Sequence, residues 1–224
     1  MPRRLAAAAL ASACILATPS VFGQAAAAPA FGAGASWTYR EINSYNRLPV
    51  GNVTRQVTAA TGEIRVVSRT GDSRVDTQAD FARPGFLLNG TLNDRAQGAL
   101  EPPLQVMPFP LEPGQRWTQT VKRQDPLTRE MRDVRVDGRV IGWETVRVPA
   151  GEFRALKVER RMWLGDWDQF RGETWRAETE WYAPEVQGPV KLTVFEEYPD
   201  RRFSLKSFMP GERVVFELTS YQRG

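Results

Sequence analysis

Apolar and polar residues alternate along most of this chain with a period of two. The segment ETWRAETEWYA, for example, aligns Trp175, Ala177, Thr179 and Trp181 on one side. Such runs are short, are rich in Val, Thr and aromatic residues, and end at Gly, Pro or Asp, as antiparallel strands do. We count about ten of them. They predict an all-β protein, a curved antiparallel sheet or half-open β-barrel with little helix.

Two stretches interrupt this strand pattern. Residues Leu88–Leu100 give the best helical signal, but Gly90 and Gly98 break it, so one short helix or a long loop would fit. Residues 101–114 contain five prolines and lack the N–H groups that a central strand needs. We expect this Pro-rich segment to be an extended crossing within a single β domain of residues 31–224.

The segments VPAGEF and WYAPEVQGPV have the residues of tight turns. Pro149 fits the second position of a turn because its φ is already fixed, and Gly151 can take a positive φ in a three-residue hairpin loop with a bulge. Pro184 has no N–H and should end a strand, and Gly188 with Pro189 should lead the chain into the next one. These four residues, Pro149, Gly151, Pro184 and Gly188, are therefore predicted to have structural roles.

Residues 1–30 have the composition of a secretory signal peptide followed by small residues. Arg3 and Arg4 precede a short apolar run, and small residues dominate from Gly23 to Ala30. The run is shorter than the roughly 20 residues that span a bilayer. We expect cleavage between Gly23 and Ala30 and a periplasmic or secreted product. Lipidation at Cys14 is the less favoured alternative, because Cys14 lies inside the apolar run.

Cys14 is the only cysteine, and the chain has no histidine. After cleavage there is no residue for a disulfide, a thiolate nucleophile, or a zinc site built on Cys or His, and no imidazole base. We therefore predict a protein that is not an enzyme and has no cofactor. The net charge of +4 falls to +2 without Arg3 and Arg4. The remaining cations are interspersed with acids, which argues against nucleic acid as a partner.

Two groups of carboxylates are candidate sites of chemistry. Asp166 and Asp168 in GDWDQF supply too few oxygens for a calcium loop and are typical of a hairpin tip. A carboxylate pair for glycan hydrolysis is the second possibility, with Glu144, Glu173, Glu178 and Glu180 as its candidates. Alternation places Glu178 and Glu180 opposite Trp175, so we expect both to face solvent.

Tryptophan is the more informative residue type. The chain has seven, and four of them fall between Trp163 and Trp181. One interpretation is a tryptophan-rich sheet core. The other is an aromatic-lined concavity for a lipid or another hydrophobic ligand, which curved, partly open sheets can provide. Its candidate lining residues are Trp163, Trp175, Trp181, Tyr182 and Phe195. Sugar stacking on Trp167 is a third interpretation.

GWETVRVPAGEFRALKVE, with FPLEPGQRW before it and WYAPEVQGPVKL after it, resembles a loose group of exported bacterial proteins of unknown function. Their pattern is a Gly–Trp strand start, a VPAGxF hairpin and a WYAPxVGxVK strand pair. The resemblance covers roughly Pro108–Phe195 and departs at EVQGPV, where one residue separates Val186 from Gly188. More distantly, the group resembles the open β-barrels of periplasmic lipoprotein carriers and lipocalins. The resemblance carries over no catalytic residues.

Three functional hypotheses follow. The first is a periplasmic protein that binds or carries an apolar molecule, and the second is a structural or interaction module of the cell envelope with a protein partner. The third is a carboxylate-dependent glycan hydrolase, which needs two carboxylates about 5 to 10 Å apart in a cleft. The first is slightly favoured over the second on fold analogy.

Overall fold

The computed structural model describes residues 23–71, 76–90, 98–124, 129–165, 170–202 and 207–224. It confirms the all-β class: the described residues contain thirteen strands and no helix. The strands are β1 (Ser36–Asn43), β2 (Pro49–Ala59), β3 (Ile64–Thr70), β4 (Thr77–Arg83), β5 (Phe86–Gly90), β6 (Leu100–Glu101), β7 (Leu104–Gln105), β8 (Arg116–Gln124), β9 (Met131–Val148), β10 (Gly151–Trp163), β11 (Trp175–Ala183), β12 (Gly188–Pro199) and β13 (Phe208–Gln222). The estimate of about ten was low, partly because β6 and β7 are too short to show alternation.

All thirteen strands form one antiparallel sheet with the order β6-β8-β9-β10-β11-β12-β13-β1-β2-β3-β4-β5-β7. The sheet curves until its two edges meet, which makes a nearly closed barrel with one seam. The Pro-rich segment crosses that seam. Its β6 pairs with β8 at one edge, and its β7, two residues later, pairs with β5 at the other.

Side chains of β8 reinforce the seam by bonding to the backbone of the Pro-rich segment. Gln119 accepts a hydrogen bond from the Gln105 N–H at 2.6 Å and donates one to the Pro103 carbonyl at 3.2 Å. The Trp117 indole N–H donates to the Gln105 carbonyl at 2.9 Å. These bonds satisfy backbone groups that the short strands leave without a ladder partner. The Pro-rich segment is thus an extended crossing that closes the barrel.

Apolar side chains on the inner face pack into three clusters. The largest includes Trp37, Tyr39, Val190 and Leu218, and it joins β1 to the strands on both sides. The second lies near the seam. The third contains Met107 and Leu111, so the Pro-rich segment also enters the core. The barrel interior is therefore filled largely by the chain's own side chains.

The VPAG hairpin folds over one end of this barrel. Pro149 and Ala150 form the turn between the paired residues Val148 and Gly151, whose φ is 138°; the connection has two residues rather than the three expected. The Ala150 N–H donates a hydrogen bond to the Leu218 carbonyl of β13 at 2.9 Å. An extra residue in β9, Ile141, sits at a bulge that bends the hairpin toward β13. The motif is thus a cap on the core.

The WYAP turn is held by a tryptophan from β1. Pro184 opens the turn, and the positive φ falls on Gln187, at 54°, rather than on the glycine after it. The Trp37 indole N–H donates to the Val186 carbonyl at 2.8 Å. A Cβ on Gly188 would lie 2.9 Å from the Trp37 Nε1 atom, so the position needs glycine for close approach of the ring.

Residues 24–27 belong to the folded unit. The N–H and carbonyl groups of Ala26 bond to the carbonyl and N–H groups of Leu111 at 2.8 and 2.9 Å. The Gln24 carbonyl accepts from the Trp143 indole at 3.0 Å, and the Ala27 carbonyl accepts from the Tyr182 hydroxyl at 3.3 Å. Ala26 is only 2% exposed. A large part of the expected small-residue linker is therefore an ordered contact of the barrel.

Several sequence predictions fall wholly or partly outside the described residues. The apolar run with Cys14, the GDWD tip with Trp167, and residues 91–97 of the helix candidate are among them. The ends of that helix candidate belong to strands, Leu88–Gly90 to β5 and Leu100 to β6. No helix in the described ranges is long and apolar enough to cross a membrane.

The two ends of the barrel differ. At one end, called the turn rim, the tight turns β2–β3, β4–β5, β9–β10 and β11–β12 lie together with residues 24–27 and the Pro-rich segment. At the other, called the loop rim, lie the β1–β2 connection and the described residues of the β3–β4, β5–β6, β8–β9, β10–β11 and β12–β13 connections. This sorting follows from an antiparallel meander, in which successive connections alternate between the ends.

Candidate functional site

In β11 the buried face carries charged residues and the half-buried face carries the tryptophans, which is the reverse of the arrangement that composition suggests. Arg176, Glu180 and Tyr182 point into the barrel and are buried, whereas Trp175 and Trp181 are half-buried on the outer side. The predicted alternation is confirmed, but the expectation that Glu178 and Glu180 face solvent is wrong. They lie inside because their cross-strand neighbours, Val158 and Arg160 on β10 and Leu192 and Val194 on β12, are themselves interior.

Arg160 and Glu178 are the centre of a buried charge network. The Arg160 guanidinium donates to Glu178 Oε2 at 2.7 Å and to Glu180 Oε2 at 2.5 Å. It also donates to the Val106 carbonyl of the Pro-rich segment at 3.3 Å. The Arg160 side chain is 5% exposed. One guanidinium thus ties β10 to β11 and to the segment that closes the seam.

Arg176 extends the network to β12 and β13. Its Nε donates to Glu178 Oε1 at 2.7 Å, and its Nη1 donates to Glu196 at 2.5 Å and to Glu212 at 2.8 Å. The six residues together, Arg160, Arg176, Glu178, Glu180, Glu196 and Glu212, are called the interior network. They bring four carboxylates to two guanidinium groups. Every charged side chain here has a hydrogen-bonded partner of opposite sign, as burial requires.

The interior network sets the ionisation of its members. Burial favours the neutral form of Glu178, but the charges of Arg176 and Arg160 outweigh burial and lower its pKa to about 2. Burial has the larger effect at Glu196 and raises its pKa despite the contact with Arg176. Both arginine pKa values are raised by the surrounding carboxylates, against the effect of burial. Glu178 therefore stays ionised well below neutral pH.

These carboxylates give little support to acid catalysis. A general acid must hold a proton near the working pH, and Glu178 cannot. Glu180 and Glu196 are buried among the strands. On the outer face, the pKa of Glu144 is lowered because the Trp181 indole donates a hydrogen bond to it and Lys157 lies beside it. The sequence analysis did not identify the network residues Arg160, Arg176, Glu196 and Glu212, although Arg160 interrupts an apolar face between Val158 and Met162.

Three of the predicted ligand residues meet on the outer face near the loop rim. Trp163 and Trp175 are cross-strand partners, and the rings of Trp175 and Phe195 contact each other edge to face with 5.8 Å between centroids. Arginine guanidiniums flank them: Arg135 lies over Trp163 at 5.2 Å and Arg213 over Phe195 at 4.1 Å. These five residues form an aromatic belt with cations at both ends.

The other two predicted residues lie elsewhere. Trp181 is half-buried between Lys157 at 5.4 Å and Lys191 at 5.7 Å from its ring, and it packs against the largest apolar cluster. Tyr182 alone points inward, where its ring contacts Phe109 of the Pro-rich segment. The five residues therefore do not line one surface, and the aromatic-lined concavity stays a prediction.

An open groove of about 500 Å³ lies beside β9 and β10. Its walls include Ile141, Trp143 and Arg154, whose guanidinium lies 4.9 Å over the Trp143 ring. The groove adjoins Gln24, which accepts the indole hydrogen bond of Trp143. No group of three or more acidic, histidine or cysteine side chains in the described ranges is arranged to hold a metal ion.

Comparison with known proteins gives likenesses of fold at low identity. No protein-family model matches the chain, and no curated protein is similar to it. Similar solved structures include a "putative lipoprotein" from Parabacteroides distasonis, with 15% identity over 88% of this chain and 99% of that one and a TM-score of 0.48. They also include a "putative exported protein with YmcC-like fold" from Bacteroides fragilis, with 14% identity over 89% and 100% and a TM-score of 0.43.

The hypothetical lipoprotein YmcC from Escherichia coli is a third similar structure, with 9% identity over 84% of each chain and a TM-score of 0.45. None of the three descriptions names a ligand or an activity. The VPAGxF and WYAPxVGxVK pattern stays a prediction, since no family model matches it. Function has to be argued from the residues of this chain.

Proposed function

We propose that this protein is an exported, non-catalytic module of the bacterial cell envelope that works through its outer surface. The observation that carries the proposal is that charged side chains lie on the inner face of β10–β12 while large aromatic side chains lie on the outer face. Inside, apolar clusters and the interior network fill the barrel; outside, Trp163, Trp175 and Phe195 remain half-buried. Export rests on the signal-peptide pattern of residues 1–30.

A lipid or other hydrophobic ligand, predicted from the tryptophans, would in this proposal bind outside the barrel. The aromatic belt offers flat apolar surface, and Arg135 and Arg213 offer cations at its ends. A ligand there would be amphipathic, with an apolar part over Trp175 and an anionic group near an arginine. A protein partner with a similar surface is the alternative from the sequence.

Native mass spectrometry of the protein purified from its own periplasm without detergent tests this proposal. We expect a bare protein mass, or an added mass that is lost in Trp175→Ala while circular dichroism stays unchanged. Tyr182→Phe is the matched control, because that ring is on the inner face. An added mass that survives Trp163→Ala and Trp175→Ala but is lost when Tyr182 is changed would place cargo inside the barrel and overturn the proposal.

The same spectra report the N-terminus of the exported protein. Because Gln24, Ala26 and Ala27 bond to the barrel, we expect cleavage at the Gly23–Gln24 bond, where Val21 and Gly23 are the small residues before the cut. A mass that begins at Phe31 would mean that these contacts are absent from the mature protein. A lipidated product that begins at Cys14 would show that the less favoured alternative is correct.

A further inference from the structure

Residues 24–27 are held to the barrel through main-chain groups. Ala26 bonds to Leu111 through both its N–H and its carbonyl, and it is only 2% exposed. The Gln24 carbonyl accepts a hydrogen bond from the Trp143 indole at 3.0 Å, and Gln24 itself is exposed at the start of this contact. Because backbone bonds account for the docking, the Gln24 side chain can react without releasing the segment.

Cleavage at the Gly23–Gln24 bond would make Gln24 the first residue of the exported protein. The α-amino group of an amino-terminal glutamine can reach the carbon of its own side-chain amide, and it titrates close to neutral pH, so part of it is the neutral nucleophile. Its attack forms a nitrogen–carbon bond and closes a five-membered lactam, pyroglutamate. The amide carbon–nitrogen bond breaks, and its nitrogen leaves as ammonia with one proton from the amine. The reaction therefore needs no oxidant, reductant or second substrate.

The surroundings of Gln24 favour a neutral chain end over an ammonium group. The Arg154 guanidinium lies 4.9 Å over the ring of Trp143, the same side chain that bonds to the Gln24 carbonyl. Glu144, which lines the adjoining groove, already accepts a hydrogen bond from Lys157 at 3.3 Å. An ammonium group at Gln24 would have a like charge nearby, whereas a lactam carries no charge. Ring closure also leaves the main-chain carbonyl that Trp143 holds unchanged.

We propose that Gln24 is a modification site that is converted to pyroglutamate after the signal peptide is removed. The inference rests on the cleavage site proposed above, because glutamine forms this lactam only at the start of a chain. A chain that begins with the lactam has no free α-amino group, so aminopeptidases, which need one, cannot shorten it. The modification would thus preserve residues 24–27 and their contact with Leu111 of the Pro-rich segment.

Intact mass spectrometry of the protein, produced with its signal peptide and freshly purified from the periplasm, tests this inference. We expect the mass of residues 24–224 less one ammonia, with fragment ions that place the loss on Gln24. Gln24→Ala is the matched control, because its main-chain carbonyl can still accept from Trp143 but it has no side-chain amide. We expect the control to keep its full mass. With an aminopeptidase, the control should lose its first residue while the wild-type protein stays intact.

Three results would overturn the inference. A fresh protein that begins at Gln24 with its full mass, including one that loses ammonia only during storage, would exclude the modification and leave the cleavage site standing. A chain that begins at another residue would exclude both. An ammonia loss that persists in Gln24→Ala would place the reaction at a different residue. The outer-surface proposal is tested separately, since it depends on bound mass and Trp175→Ala rather than on the chain end.

Discussion

Trp175 and Arg176 are adjacent residues in β11 that face opposite sides of the same sheet. Arg176 lies inside and contacts Glu178, Glu196 and Glu212, whereas Trp175 lies outside against Phe195 and Trp163. The charged side chain is thus the more buried of the two. The difference teaches that a closed polar network can occupy a barrel interior when every charge is paired, and that large aromatics can remain at a surface.

Arg176→Ala should have the largest effect on stability. The change leaves three carboxylates without their shared cation inside the barrel, so we expect the free energy of unfolding to fall by about 3–5 kcal/mol. Urea denaturation followed by tryptophan fluorescence measures it. A loss below about 1 kcal/mol would mean that the network is exposed to water, as surface ion pairs are.

Acid titration gives the next largest effect. The Glu178 pKa is about 2 in the folded protein and 4.5 ordinarily, so its stabilisation is complete above pH 4.5 and is lost as pH falls through 2. We expect this residue to account for about 3 kcal/mol of the acid loss. Urea midpoints measured from pH 5 down to pH 2 should fall more steeply for wild type than for Glu178→Gln. Equal slopes would contradict the shift.

Trp175→Ala tests how much the outer face of β11 contributes to stability. Half-buried side chains lose less on truncation than core ones, so we expect about 1–2 kcal/mol, clearly less than Arg176→Ala. The measurement is the same urea series. If the loss equals that of Arg176→Ala, Trp175 is a core residue and the inner and outer faces have been assigned the wrong way round.

Arg135→Gln should have the smallest effect. This exposed arginine pairs with Asp137 at 2.9 Å and lies over Trp163, so we expect a loss of at most about 1 kcal/mol. Thermal unfolding at low and high salt is the check, because screening should remove most of the difference. A salt-independent loss of several kcal/mol would show that this ion pair is structural.

Much of the fold could be predicted because strand formation is local. The hairpin at Pro149 and Gly151, the strand end at Pro184 and the alternation of Trp37, Tyr39 and Glu41 in β1 all follow from neighbouring residues. The interior network could not be predicted in the same way. Its partners, such as Arg176 and Glu212, come from different strands and meet only when β12 pairs between β11 and β13.

The candidate binding residues could likewise be predicted only in part from the sequence. Trp163, Trp175 and Phe195 were picked out from composition, and the strand register brings them together. Tyr182 was grouped with them although its parity in β11 is opposite to that of Trp175 and Trp181, and it faces inward. The sequence does not predict that Tyr45, Phe170 and Phe208 lie at one end of the barrel, because they are far apart in sequence and the sheet order alone places them there.

Local sequence is enough to predict that the chain forms antiparallel strands, where the tight turns fall, and which side chains share a face, because period-two alternation and turn chemistry act over a few residues. Which face is inside depends on the complete fold. The direction in which the sheet curves depends on the pairing of all thirteen strands and on the Pro-rich segment that joins the two edges. That closure buried Arg160 and Arg176 with their carboxylates and left the tryptophans of β10 and β11 outside.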